Sequence, residues 1–473
     1  MERAAGPTVE GPVSGGLGHP FIASSAFDVD YTTFDLAQVG YTQAEFLIAG
    51  TAAAYTSDVP LSADGVWTVT PAAAAAYKTR ILVYRPIDRE AFNGTVIVEW
   101  LNVTGGVDGA ADWLMAHTEL VRDGFAWVGV SAQYVGVEGG ASMLGLPSRP
   151  LKTIDPGRYA SLVHPGDSFS YDIFSQAAQA IRNPTGVRPL GDLSATALIA
   201  AGESQSAFRL VTYINAVHPL ADIYDGFLVY SRGSIGAALS EAPEPPTAVP
   251  GSAPFRSDLD VPVLAFETET DLTFVGYFPA RQPDSERFRL WEVAGTAHAD
   301  TYTVVTGSTD VGDSPASAAL VVTSTPVPGF SCRTAINSGP QHFVLNAAFA
   351  ALNRWVRDGT PPPSAPRLAV SAGPPVAIDR DAYGNALGGI RTPQLDVPIA
   401  AFSGDVDGSF LCKLFGSTVP FDDATLAALY PDHATYVSAF DQATDRAVEA
   451  EFILPPDAAL LKAAAAESDV GNW

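Results

Sequence analysis

The fold is decided by the stretch Thr196-Ala-Leu-Ile-Ala-Ala-Gly-Glu-Ser204-Gln-Ser206. Its first six residues are mostly apolar, as in a buried central strand, and apolar side chains recur at helical spacing after Ser206. A serine with small residues two positions before and two after it, at a strand-to-helix junction, is the nucleophile-elbow pattern. The tight turn requires small flanking residues and leaves the hydroxyl projecting above the sheet edge. Ser204 is therefore predicted to be a catalytic nucleophile, with Ser206 in place of the more usual second glycine.

A histidine downstream of the elbow is expected, because this arrangement follows the chain order nucleophile, acid, base. His298 comes after the strand-like run Phe288–Val293 and a short loop of small residues. The other six histidines precede the elbow or lie in segments that favour a helix, a helix end or a polar C-terminal region. An imidazole just beyond a strand end can take the proton of a serine hydroxyl and later protonate the leaving group. His298 is predicted to be the general base.

The acid is expected after the preceding strand. The apolar run Val261–Phe266 is followed by three carboxylates, Glu267, Glu269 and Asp271. Asp271 is the predicted acid, because its distance from the run suits a residue in the loop after a strand. Glu269 is the close alternative, and Glu267 is near enough to belong to the strand. The acid would fix the imidazole tautomer and stabilise the imidazolium.

Two backbone amides are expected to form an oxyanion hole. One is the amide of Gln205, at the start of the helix after the elbow. For the other, the β-prone run Gly94–Leu101 leads into Asn102 and a loop that ends in two glycines. Asn102 stands where lipases and esterases carry the histidine of an HGGG motif, so the Val103 amide is the expected donor. A glycine turn without chemistry explains this segment equally well by itself, but its order along the chain favours the oxyanion role.

Four further stretches resemble the α/β-hydrolase superfamily, and more narrowly the family of long bacterial proteins with an "α/β hydrolase domain". They are Tyr77–Pro86, Asn93–Gly106, His164–Phe174 and Tyr383–Arg391. The resemblance extends from about Pro7 to the C-terminus. It implies an α/β-hydrolase fold and a serine hydrolase activity, and it implies no particular substrate.

The expected reaction is the hydrolysis of a carboxyl ester through an acyl-enzyme, with a small-molecule ester as substrate. A peptidase or a lactonase would use the same triad, and these activities stay open. A non-catalytic binding protein that kept the fold is the alternative from another class. Natural substrate, chain-length preference and oligomeric state are not determined by the sequence.

Composition excludes several other classes of protein. The 473 residues are 47% hydrophobic and 16% charged, enough to bury a large core. With 26 basic and 52 acidic residues, the net charge is −26. That charge argues against nucleic-acid partners and against binding to anionic membranes. No apolar run has membrane-spanning length. The first residues lack a signal-peptide core, which predicts a cytoplasmic protein, or a secreted one if a leader has been removed.

The chain has two cysteines, Cys332 and Cys412. They form no metal-binding motif, and no phosphate- or dinucleotide-binding glycine loop is present in a strand-turn-helix context. Neither a cofactor nor a metal is therefore predicted. A disulfide between the two cysteines and a pair of buried free thiols are both open. A bond would indicate an oxidising compartment, whereas the missing signal-peptide core argues for a reducing one.

Alternation of strand and helix patterns predicts an α/β fold, with a mostly parallel central sheet flanked by helices. Residues 1–93 are predicted as a β-rich N-terminal extension with strands at Glu45–Ala49 and Val66–Val69, residues 94–358 as the catalytic core, and residues 359–473 as an appended region. Core strands are predicted near 94–102, 125–133, 195–201, 223–230, 261–267 and 286–294. Helices are predicted near 109–122, 168–182, 204–216 and 341–356.

Two long segments between core elements are candidates for a lid. They are residues 134–167 and 299–338, and the appended region is a third candidate. Loops of that length in a compact domain are usually functional or disordered. We expect these three segments to form a lid and the walls of the substrate pocket, although an extension of the scaffold is an equally good interpretation.

Overall fold

A computed structural model describes residues 6–14, 21–23, 28–30, 32–145, 147–318, 331–371 and 373–472. The chain divides into two compact units. The first unit comprises Met1–Val263 with Val356–Gly359, and the second comprises Leu264–Trp355 with Thr360–Trp473. The sequence analysis expected three regions, and their boundaries do not coincide with those of the two units. The three regions stay a prediction.

The first unit is built on a large sheet. Its strands are β1 Thr8–Glu10, β2 Phe21–Ala23, β3 Asp28–Asp30, β4 Tyr41–Thr56, β5 Thr70–Pro86, β6 Thr95–Trp100, β7 Ala126–Val130, β8 Thr185–Gly186, β9 Ala197–Glu203 and β10 Gly226–Tyr230. Apart from the separate β2–β3 pair, they lie side by side in the order β10-β9-β6-β7-β5-β4-β1-β8. Strands β7, β6, β9 and β10 are parallel, whereas β5, β4 and β1 continue the sheet with antiparallel pairing.

The parallel strands are buried almost throughout. This explains their nearly continuous apolar sequences, because helices cover both faces of a parallel sheet. The carboxyl ends of parallel strands lie at one edge of a sheet, which is where α/β proteins place their ligands. Asn102, two residues after β6, and Ser204, directly after β9, therefore follow strand ends at the same edge.

Helices of the first unit pack on this sheet, with α1 against β7 and β9 and α6 against β9 and β10. They are α1 Ala111–Arg122, α2 Tyr134–Val137, α3 Leu151–Ile154, α4 Pro156–Tyr159, α5 Ser170–Arg182, α6 Gln205–Thr212 and α7 His218–Ala221. A π-helical turn, Tyr213–Val217, joins α6 to α7, and 3-10 turns occur at Leu36–Val39, Arg89–Ala91 and Asp167–Phe169. The rings of Trp100, Trp113 and Trp127 are fully buried in this core.

One strand predicted from the sequence is wrong. Val66–Val69 is not a strand, and β5 begins only at Thr70. The Trp67 amide instead donates to the Asn215 carbonyl, and its indole donates to the Ser62 carbonyl at 2.7 Å. The alternation of apolar and polar residues therefore reflects the burial of Trp67 and Val69 against neighbouring segments, not pairing in a sheet.

The second unit combines short strands with more helices. Its strands are β11 Val263–Thr268, which begins at the unit boundary, β12 Phe288–Val293, β13 Val370–Ser371, β14 Ala377–Ile378, β15 Ala400–Ser403 and β16 Ser417–Pro420. Its helices are α8 Glu269–Thr273, α9 Pro315–Ala318, α10 Gln341–Asp358, α11 Pro393–Asp396, α12 Phe410–Phe415, α13 Asp423–Leu429, α14 His433–Glu449 and α15 Pro455–Glu467. Shorter turns are 3-10 at Phe278–Ala280 and Gly307–Thr309 and π-helical at Tyr302–Thr306.

The predicted fold class is confirmed, with a mostly parallel central sheet flanked by helices. The core strands and helices expected from the sequence are present, and their ends are within a few residues of the predicted positions. Of the helices in the described ranges, none combines the length and the apolar character needed to cross a bilayer. The role of the three candidate lid segments stays a prediction, and residues 319–330 of one of them lie outside the described residues.

A disulfide joins Cys332 to Cys412 within the second unit. The sulfur atoms are 2.09 Å apart and the Cα atoms 5.6 Å apart, and the cysteines are separated by 80 residues in sequence. Cys412 lies in α12, where Ser409 caps the helix by accepting a hydrogen bond from the Cys412 amide. The bond therefore ties α12, in the C-terminal part of the chain, to the segment that precedes α10.

Titration of thiols under denaturing, non-reducing conditions should detect no reactive cysteine. Replacing both cysteines by alanine should lower the free energy of unfolding by up to about 4 kcal/mol, because the bond closes a long loop in the unfolded chain. Denaturant unfolding of the two proteins measures this difference. Two reactive thiols in the untreated protein would contradict the assignment.

Candidate active site

Ser204 occupies a strained turn between β9 and α6. Its backbone has φ 54° and ψ −118°, which is uncommon for a residue other than glycine. The Ser204 amide donates to the Tyr230 carbonyl at 2.9 Å, which fixes the turn to the neighbouring strand. A Cβ atom on Gly202 would lie 3.0 Å from the Leu210 side chain and 3.1 Å from the Ser206 Cβ. The close approach explains why small residues flank the serine, and the turn lies where the sequence predicts an elbow.

The loop after β6 is attached to the elbow by one side chain. The Asn102 amide group donates to the Glu203 backbone carbonyl and to a Glu203 carboxylate oxygen, both at 3.1 Å. Its side-chain oxygen accepts a hydrogen bond from the Thr104 amide at 2.7 Å. Asn102 also exchanges two backbone hydrogen bonds of 2.8 Å with Gly109, which closes the loop. The hydrogen bonds between Asn102 and Glu203 therefore join the two residues that directly precede Val103 and Ser204.

A second side-chain pair connects α6 to the strand on the other side of β6. The amide groups of Gln133 and Gln205 exchange hydrogen bonds of 2.9 and 2.5 Å. Gln133 lies just after β7, and Gln205 is the first residue of α6. The start of this helix, where the second oxyanion donor is predicted, is therefore held by Gln133 and, through Glu203, by Asn102. Sequence reasoning missed Gln133, which belongs to no recognisable motif, and Glu203, which occupies a variable position of the elbow pattern.

Two buried carboxyl groups lie on the elements that flank the loop after β6, Glu99 on β6 and Asp112 on α1. Glu99 accepts hydrogen bonds from the amides of Asp112 and Trp113 and from the Trp127 indole, at 2.8 to 3.0 Å. It therefore caps the first turn of α1. Neither oxygen of Asp112 has a hydrogen-bond partner among the residues that the structure describes.

Burial raises the pKa of both carboxyl groups, that of Glu99 to about 8, and their mutual repulsion and the Glu203 charge raise the pKa of Asp112 further. The three N–H donors that favour the charged form of Glu99 oppose this effect there, whereas no hydrogen bond from another described residue opposes it at Asp112.

In the second unit, Asp271 and His298 form a buried hydrogen-bonded pair. His298 Nδ1 lies 2.7 Å from Asp271 Oδ1, and the aspartate is fully buried. The other carboxylate oxygen accepts hydrogen bonds from the Thr268 amide and hydroxyl, both at 2.7 Å. Thr268 in turn caps α8, so the helix start fixes the carboxylate orientation. The structure thus brings together the predicted acid and the predicted base.

Glu269, the alternative acid, is fully buried and its carboxylate has other partners. It accepts hydrogen bonds from the amides of Gly295 and Gly404 and forms an ion pair with Arg380. His298 Nδ1 donates its hydrogen bond to Asp271, which favours Asp271 over Glu269 as the acid. Ser204 belongs to the first unit, and the Asp271–His298 pair belongs to the second.

The described part of the chain contains no group of three or more histidine, cysteine or acidic side chains arranged to hold a metal ion. The arrangement in each unit is instead typical of acyl-transfer chemistry, with a serine at a strained elbow in one and a carboxylate-oriented imidazole in the other.

Residues 9–463 match the family model described as "Alpha/beta hydrolase domain". The chain belongs to this alpha/beta hydrolase domain family. The match covers nearly the whole sequence, so the resemblance found in separate motifs extends through the appended C-terminal region. No curated protein sequence matches this family member.

Several solved structures are similar to this alpha/beta hydrolase family member. A fungal esterase from Rhizomucor miehei is 12% identical, with 69% of this chain and 92% of that chain covered and a TM-score of 0.32. A serine hydrolase without a lid from Xanthomonas campestris is 13% identical, with 46% and 78% covered and a TM-score of 0.27. A glucuronoyl esterase from Solibacter usitatus is 14% identical, with 57% and 79% covered and a TM-score of 0.27. None of the three identifies a substrate for this chain.

Replacing Asp112 by asparagine should make the stability of this hydrolase-family protein less dependent on pH. A native pKa raised above the ordinary value of 3.8 means that the folded state holds a proton that the unfolded state has lost. Between those two pKa values the native protein therefore loses about 1.4 kcal/mol of stability for each increase of one in pH. Urea unfolding at pH 6 and pH 9 should show a smaller loss for Asp112→Asn than for the native protein. Equal losses would contradict a raised pKa of Asp112.

Proposed function

We propose that this protein is a serine hydrolase that cleaves carboxyl esters of small molecules. The observation that carries the proposal is the buried hydrogen bond between Asp271 and His298. A carboxylate on Nδ1 fixes the tautomer in which Nε2 can accept a proton, and it stabilises the imidazolium that results. A buried structural histidine has no need of a buried carboxylate partner that is itself fixed by a helix cap.

In the proposed reaction Ser204 Oγ attacks the ester carbonyl carbon and His298 Nε2 takes the serine proton. The imidazolium then protonates the alkoxy oxygen of the leaving alcohol, so that the carbon–oxygen bond breaks and an acyl-enzyme remains. Water attacks the acyl-enzyme with His298 again as base, and the carboxylic acid leaves while Ser204 regains its proton. Asp271 stays ionised throughout.

The backbone amides of Val103 and Gln205 are the proposed oxyanion donors. Support comes from the hydrogen bonds of the residues beside them, Asn102 with Glu203 and Gln133 with Gln205, which restrict both segments. Donors fixed before the reaction stabilise the developing charge without reorganisation, and one such donor contributes about 3 kcal/mol in well-studied hydrolases. Rates on p-nitrophenyl esters of graded acyl length would define the substrate class.

Ser204→Ala should lower ester turnover by several orders of magnitude, on the order of the losses in triad knockouts. Labelling by a fluorophosphonate probe should also disappear. Ser206→Ala is a matched control, because the same hydroxyl is removed two residues away at a fully buried position. Retained turnover in Ser204→Ala would refute the nucleophile assignment. A native protein that neither reacts with the probe nor hydrolyses any ester or amide would point to a binding protein that kept the fold.

Asp271→Asn should lower kcat by about 10⁴-fold and change KM little, because a neutral amide favours the wrong imidazole tautomer. Steady-state kinetics on one p-nitrophenyl ester measures both constants. Circular dichroism serves as the control for folding, since Asp271 also accepts hydrogen bonds from Thr268. A folded variant with nearly native kcat would remove Asp271 from the mechanism.

A further inference from the structure

A second buried carboxylate lies two residues before Asp271 and holds three segments of the second unit together. Glu269 Oε1 accepts a hydrogen bond from the Gly295 amide at 2.6 Å. Its Oε2 accepts one from the Gly404 amide at 3.1 Å and lies 2.8 Å from Arg380 Nη2. Gly295 precedes His298 by three residues, so one side chain touches the loop of the acid, the loop of the histidine and the C-terminal region.

Backbone contacts reinforce this connection. The Glu269 amide donates to the Thr296 carbonyl at 3.3 Å, and the Thr270 hydroxyl donates to the Gly404 carbonyl at 2.7 Å. A Cβ atom on Gly404 would lie only 2.4 Å from the Thr296 carbonyl oxygen and 2.7 Å from the Thr270 amide. The C-terminal region therefore packs directly on both loops, at a distance that only glycine allows.

Arg380 supplies the positive charge at this junction. Besides Glu269, its guanidinium donates to the Ser403 hydroxyl at 2.7 Å and to the Gly384 carbonyl at 3.2 Å. Burial raises the pKa of Glu269, and the neighbouring Arg380 charge and the two glycine amides oppose that effect. The Arg380 charge therefore favours the ionised form of Glu269, whose two oxygens accept hydrogen bonds from all three donors.

We propose that Arg380 is a positioning residue for the Asp271–His298 pair, acting through Glu269. The inference rests on the proposed function, since it assigns these two residues to catalysis. Removing the guanidinium leaves a buried carboxylate without a counter-charge. The carboxyl group then takes up a proton or shifts, and at least one of its hydrogen bonds from Gly295 and Gly404 is lost. The histidine loop moves relative to Asp271, and turnover falls while substrate binding is little affected.

Arg380→Met tests this proposal, with Arg380→Lys as the conservative variant and Arg354→Met as the matched control. Arg354 also pairs with a glutamate of the second unit, Glu451, but both side chains are about half exposed. We expect kcat to fall by about 10²-fold in Arg380→Met with KM within a factor of about two, because displacements of about 1 Å have effects of this size. Arg380→Lys should recover a large part of kcat, and Arg354→Met should resemble the native protein.

A spectroscopic measurement separates this inference from the proposed function. The Nδ1 proton between His298 and Asp271 should give a downfield proton NMR signal that His298→Gln abolishes, whether or not the protein hydrolyses an ester. Arg380→Met should shift or broaden the signal, and Arg354→Met should leave it unchanged. An unchanged signal together with a native kcat in Arg380→Met would overturn the positioning role. Absence of esterase activity in the native protein would refute the proposed function, and the signal would still decide the role of Arg380.

Should Arg380→Met not fold, Glu269→Gln tests the same link with a side chain of equal size. It removes the charge on which the Arg380 interaction depends and keeps a single acceptor for the two glycine amides. We expect a fall in kcat of similar order and a shifted downfield signal. Native values of both in folded Glu269→Gln would overturn the proposal.

Discussion

The turn at Ser204 is the constraint on which the first unit depends. A residue with a side chain adopts a backbone conformation that ordinarily favours glycine, and such strain persists only where the surroundings hold it. The Tyr230 carbonyl, the first turn of α6 and the close packing of Gly202 on Ser206 hold it here. Strand β9, which leads into this turn, lies between the parallel strands β6 and β10 and is buried almost throughout.

Buried carboxylates organise the loops in both units. Glu99 caps α1 beneath the loop of Val103, Asp271 is bound by the cap of α8, and Glu269 joins two glycine amides to an arginine. Each carboxylate accepts hydrogen bonds from backbone amides that would otherwise be buried without partners. Some of the 52 acidic residues are therefore buried, and these fix the segments that carry the proposed site.

Sequence patterns were reliable where the physical cause is local. The short buried strands and their helices follow from apolar runs and spacing, and the elbow follows from steric limits within five residues. The error at Val66–Val69 has the opposite origin. Trp67 is buried by contacts with residues far away in sequence, and a burial pattern of that kind imitates the alternation of a strand.

By itself, the sequence determined the α/β class, the strand-to-helix turn at Ser204 and a short set of candidates for acid and base, because each depends on neighbouring residues and on chain order. Only the tertiary structure decided which carboxylate bonds to His298, since Glu269 and Asp271 are equivalent in a linear pattern and differ only in their partners. It also decided the environments of Glu203 and Arg380. Arg380 meets Glu269 across 111 residues of sequence, and Asn102 meets Glu203 across 101. Contacts over such separations leave no local pattern, because they form only when the folded chain brings the segments together.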